Sequence, residues 1–101
     1  MYLIEVLLPL ANNQGKEFPA QTLRDIQDEL SRKFGGLTAH SRAPAKGVWL
    51  RDREEQQDDI VIIEVMTNEL DTPWWHAFRR RVETLLAQDE ILIRAHEIQR
   101  L

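Results

Sequence analysis

Cysteine is missing from this sequence altogether. That one absence removes thiol nucleophiles, thiolate metal sites, iron–sulfur ligation and disulfides, and leaves the fold to be held by packing and hydrogen bonds. Glycine and proline are scarce at four each in 101 residues, so each one punctuates the chain: Pro9, Gly35-Gly36, Pro44, Gly47 and Pro73 all fall between patterned segments. Basic charge is not in excess. Thirteen Lys and Arg against seventeen Asp and Glu leave a net charge of −4, which argues against a general nucleic-acid or anionic-membrane binder, since such a binder needs a basic stripe. Long apolar runs are absent too, and none approaches the roughly 20 residues that span a bilayer. The apolar start MYLIEVLLPL has no basic region before it, carries Glu5, and lacks a small-residue cleavage pattern, so it reads as a strand and not as a signal peptide. These absences predict a soluble, cytoplasmic protein with no cofactor, no metal, no nucleic acid and no membrane partner.

What remains is an ordinary globular composition, 43% hydrophobic and 30% charged. Residues 1–101 are expected to form a single domain, of a size at which small domains gain stability by association. Asp58 to Thr67, DDIVIIEVMT, is the longest β-branched run and reads as a central strand. Val61, Ile63 and Val65 share one face of it; Ile62, Glu64 and Met66 share the other. Tyr2 to Leu8 alternates in the same way, with Tyr2, Ile4, Val6 and Leu8 opposed to Leu3, Glu5 and Leu7. Leu10 to Glu17 follows as a polar loop able to fold over a ligand.

Leu23, Ile26, Leu30 and Phe34 recur at three- and four-residue spacing after Pro19, which predicts a helix closed by Gly35-Gly36. Residues 37–51, interrupted by Pro44 and Gly47, read as the irregular first arm of a hairpin whose second arm is the central strand. Asp71, Thr72 and Pro73 open a second helix, on which Trp74, Phe78, Val82 and Leu85 form the apolar stripe and Trp75 and Leu86 widen it. Arg79-Arg80-Arg81 fan out around that helix and are expected to pair with Glu83 and neighbouring acids. Residues 91–98 give a last strand, with Ile91, Ile93 and Ala95 opposed to Leu92, Arg94 and His96.

The succession is β-α-β-β-α-β, and over its full length the chain resembles the ferredoxin-like superfold. That resemblance implies an α+β sandwich with a four-stranded antiparallel sheet ordered 4-1-3-2 and two helices on one face. In size and order the chain looks like dimeric α/β-barrel proteins, among them small cofactor-free monooxygenases, muconolactone-isomerase-like enzymes and several stress-response proteins. It lacks the open-face aromatics of an RNA-recognition motif, the loop arginine of acylphosphatases, the Cys-x-x-Cys of metal chaperones and the glycine-rich last loop of nitrogen-regulatory proteins.

On the helix-free face Leu3, Leu7, Ile62, Met66 and Leu92 make an apolar patch of the kind that marks an interface, here with a second subunit. Across that face, sheet order 4-1-3-2 predicts a row of Arg94, Glu5, Glu64 and His40, with His96 nearby and Trp49 and Trp75 as rim aromatics of a pocket. Burial beside a second carboxylate raises one glutamate's pKa while Arg94 lowers its nearer neighbour's, and His40 or His96 relays the proton. The same row serves equally as an ion-pair network fixing the register of a dimer. Two functions follow. One is a homo-oligomeric binding or interaction module, a homodimer or larger, joined through the helix-free face and open to a protein partner or small ligand. The other is a cofactor-free dimeric-barrel enzyme, monooxygenase- or isomerase-like, acting on a small aromatic or anionic metabolite.

Overall fold

The computed structural model describes residues 1–35, 38–42, 50–51, 54–55 and 60–101, with backbone alone for the three short segments between 38 and 55. β1 (Tyr2–Pro9) leads through a turn to α1 (Ala20–Phe34), then to β2 (Thr38–Arg42), β3 (Leu50–Arg51), β4 (Glu54–Glu55), β5 (Ile60–Thr67), α2 (Thr72–Leu85) and β6 (Leu92–Glu97). The α+β class and the β-α-β-β-α-β succession of the long elements are as expected and compatible with a ferredoxin-like arrangement.

The strand count corrects the expected sheet. Instead of a single four-stranded sheet ordered 4-1-3-2, the described residues make six strands in two sheets, the larger ordered β2-β5-β1-β6 and the smaller β3-β4. What the expectation lacked is the second sheet. Leu50–Arg51 does not extend the first arm of the long hairpin; it pairs antiparallel with Glu54–Glu55, Arg51 opposite Glu54. Only Asp52 and Arg53 separate the two arms, so the ends of this hairpin meet at little loop-closure cost, while pairing with β5 closes a longer loop.

In the larger sheet every contact is antiparallel, with Ile4 opposite Val65 on one side of β1 and opposite Ala95 on the other. Alternation then sorts the residues by face. Ile4, Val6, Leu8, Val61, Ile63 and Val65 are buried in one cluster with Ile26 and Leu30 of α1 and Trp75, Phe78 and Val82 of α2, so both helices cover that face.

The helix ends follow their sequences. Asp71 accepts the Trp74 N–H at 3.1 Å as the α2 cap, with Pro73 in the first turn where its missing N–H costs nothing. At the end of α1, Gly35 adopts φ 74° and returns its N–H to Ser31 O at 2.8 Å, a conformation that penalises any residue with a Cβ. The α2 stripe is rotated by one residue from expectation: Trp75 and Leu86 are buried, Trp74 is half-buried, and Leu85 is 59% exposed. Trp74, Trp75 and Phe78 pack with Phe34 as one aromatic cluster, Trp75 stacked on Phe34 at 5.2 Å and Trp74 on Phe78 at 5.2 Å. Two large rings on adjacent helical positions draw the helix toward α1 and set its rotation.

The loop after β1 closes on itself. Asn12 Oδ1 accepts the N–H groups of Gln14 and Lys16, both at 2.9 Å, Gly15 takes φ 81°, and Ala11 bridges Glu17. Leu10 and Phe18, on either side, pack against the core.

Candidate functional site

Glu5 occupies the centre of β1 on the helix-free face. In register it lies between Glu64 of β5 and Arg94 of β6, and Glu64 in turn lies opposite Thr38 of β2. The transverse row is therefore Arg94, Glu5, Glu64 and Thr38. His40 stands two residues along, opposite Ile62, and its side chain lies outside the described residues. Alternation fixes which face a residue takes but not a slip by two, which the connection between β2 and β5 decides.

Three of the expected residues come together. Arg94 Nε donates to Glu5 Oε1 at 2.9 Å, and His96 Nε2 stands 2.6 Å from the same oxygen. His96 lies opposite Leu3 and reaches Glu5 diagonally, within the span that long side chains cover between adjacent strands. The Glu5 side chain is 15% exposed, while those of Arg94 and His96 are about half exposed. A carboxylate under two polar lids is the result.

The hydrogen bond from Arg94 is the largest influence on Glu5. Together with the bond from His96 and the charges of both partners, it outweighs burial and holds the carboxyl below its ordinary value. Glu5 thus stays ionised. In neutral His96 the Nε2 hydrogen points to Glu5, which leaves Nδ1 as the ring nitrogen able to take a proton.

The sign of the linkage follows: a carboxyl with a depressed folded pKa adds stability above its unfolded value, and that stability is lost as pH falls through the folded value. In a ¹³C titration the Glu5 carboxyl is expected to show a midpoint below the ordinary 4.5, and Arg94→Met is expected to raise it. A wild-type midpoint at or above 4.5 contradicts this account of the cluster.

The apolar surround is narrower than expected. Ile62 is buried within the chain at 6% exposure, so it offers little area to a partner; Leu3 and Leu7 are half-buried, and Met66 and Leu92 are 52% and 45% exposed. Trp49 lies outside the described residues. Trp75 is not a rim residue of this face; it is buried on the other side, among the helices. Of the α2 arginines, Arg81 holds Glu29 with two bonds of 3.1 and 2.6 Å, and Arg79 Nε makes a looser contact with Glu83 at 3.8 Å.

A cleft that the sequence reading missed lies on the helix side, where α2 passes over the edge strand β6. It holds about 150 Å³ and is lined by Ile4, Trp75, Ile93 and Ala95 together with Leu70, Thr72, His76, Arg79 and Arg94. The available signal was the spacing of Thr72, His76 and Arg79, which puts three polar side chains along one helix stripe. Among the described residues no group of three or more His, Asp or Glu side chains is placed to hold a metal ion. No helix among them is long and apolar enough to cross a membrane.

Compared with known proteins, the chain matches no protein-family model, no curated protein and no solved structure.

Proposed function

We propose that the protein is a homo-oligomeric binding module whose helix-free sheet face packs against a second copy, with Glu5, Arg94 and His96 inside the contact. The observation that carries this reading is the apolar surface left exposed on the helix-free face. The core fills one face of the sheet, while Met66 and Leu92 stand about half exposed on the other with Leu3 and Leu7 between them. Exposed apolar side chains on a flat sheet face favour a partner with the same flat shape, and the face of a second copy supplies it. The ion cluster at the centre sets the register of such a contact, because any other alignment buries charges without partners.

Sedimentation equilibrium tests the reading. The wild type is expected to be a dimer or larger, and Met66→Lys and Leu92→Glu are each expected to weaken association by roughly 30-fold or more, since each removes apolar burial and puts a charge into the contact. A wild-type chain that stays monomeric at the highest concentrations accessible contradicts the proposal.

The Glu5–His96 pair favours a second reading, a cofactor-free proton-transfer enzyme of the dimeric-barrel kind acting on a small aromatic or anionic metabolite. In that reading His96 is the base through Nδ1, and Glu5 orients it and stabilises the imidazolium, as an ionised carboxylate beside an imidazole does. Arg94 holds the orienting carboxylate in place. The ¹⁵N shifts of His96 check this assignment: a protonated Nε2 and a bare Nδ1 support it, and the opposite tautomer removes it.

A further inference from the structure

We propose that the cleft between α2 and β6 binds a small organic carboxylate with an apolar body about the size of one aromatic ring. This inference rests on the cleft alone and is independent of what covers the helix-free face.

The size comes first. A volume of about 150 Å³ accommodates a single ring, as apolar cavities of that size do. The floor suits one: Ile4, Ile93, Ala95 and one side of Trp75 are apolar, and Trp75 is held from behind by Phe34 and Phe78 at 5.2 and 5.5 Å.

Charge decides the other end of the ligand. The chain as a whole is acidic, with a net charge of −4, yet among the described residues no carboxylate lines the cleft, and the ionisable residues that do are His76, Arg79 and Arg94. Arg94 is committed through its Nε to Glu5. Arg79 is not committed in that way: its side chain is 42% exposed, and among the described residues no acceptor lies within hydrogen-bond distance of its Nε. The nearest carboxylate, Glu83, is 3.8 Å from it and already accepts the Ile91 N–H at 2.9 Å. A half-exposed ion pair this loose contributes little to the fold and leaves the rest of the guanidinium available to a ligand. A carboxylate lying along the Thr72–His76–Arg79 stripe accepts from the exposed part of the Arg79 guanidinium in a charge-assisted pair, with the Thr72 hydroxyl as a further donor. The ring then lies on Trp75 and Ile93.

Benzoate is the probe and benzamide its neutral counterpart of the same shape. In ¹H–¹⁵N spectra of the full chain, benzoate is expected to shift Thr72, His76, Arg79 and Ile93 saturably. Benzamide is expected to bind at least about tenfold more weakly, and Arg79→Gln to weaken benzoate by about tenfold or more. Absence of saturable shifts with benzoate, or equal binding of benzamide by the wild type, overturns the proposal. The benzamide comparison uses only the wild-type chain, so it decides the matter even where the variant folds poorly.

Discussion

Phe78→Ala is expected to cost about 3–5 kcal/mol, the largest loss of any single truncation in this chain. Phe78 is completely buried, and it is the ring on which both tryptophans of α2 converge, Trp74 stacked at 5.2 Å and Trp75 edge-on at 5.5 Å. Removing it empties the space between helix and sheet and strips both indoles of a ring partner, each such pair contributing about 0.5–1.5 kcal/mol beyond its buried area. Against a total stability of about 5–15 kcal/mol for a domain of this kind, that leaves a chain close to its unfolding threshold. Urea unfolding followed by tryptophan fluorescence measures it. A loss below about 1 kcal/mol, the level of an ordinary surface change, places the centre of the core elsewhere.

The second large effect is a contrast between two leucines. Leu30 of α1 is fully buried and Leu92 of β6 is 45% exposed. Leu30→Ala is expected to cost about 2–5 kcal/mol at any protein concentration, because it leaves a cavity inside one chain. Leu92→Ala is expected to cost less than about 1 kcal/mol in dilute solution, where the side chain is half wet in either state. At high concentration its cost is expected to grow, because burial in an associated state stabilises by mass action and the variant loses part of that burial. Unfolding midpoints at two widely separated concentrations read both effects. A Leu92→Ala cost that ignores concentration removes Leu92 from any interface.

Alternation and helical period made most of the architecture legible. Val61, Ile63 and Val65, and Ile4, Val6 and Leu8, are buried as their period-2 pattern requires, and Ile26 and Leu30 mark the buried stripe of α1. Patterns of this kind report which side of an element is apolar, and burial follows from that. They do not report rotation to within one residue, which is why Trp74 and Trp75 changed places: with apolar residues at 74, 75, 78, 82, 85 and 86, two stripes are nearly equivalent, and the stack of Trp75 on Phe34 chooses between them.

The site was legible to the same depth. Glu5, Arg94 and His96 meet because β1 and β6 pair as the strand pattern implied. His40 fell out of the row because alternation is blind to a shift of two. The β3–β4 hairpin escaped notice because two-residue strands carry no period to detect. The cleft beside α2 escaped because its polar edge and its apolar floor come from elements far apart in sequence, so only the packed structure brings Arg79 and Ile93 to one place.

The order in which the strands are made bears on how this chain comes to fold. β1 precedes the strands it pairs with in sequence and sits inside the sheet, with β5 on one side and β6 on the other, and the Ile98 N–H closes back on Met1 O at 2.9 Å. Both neighbours of β1 are therefore synthesised late, and its pairings are among the most distant in the sequence. Pairings so distant in sequence are slow to form, and until both neighbours are in place Tyr2–Pro9 is a strand with two open edges.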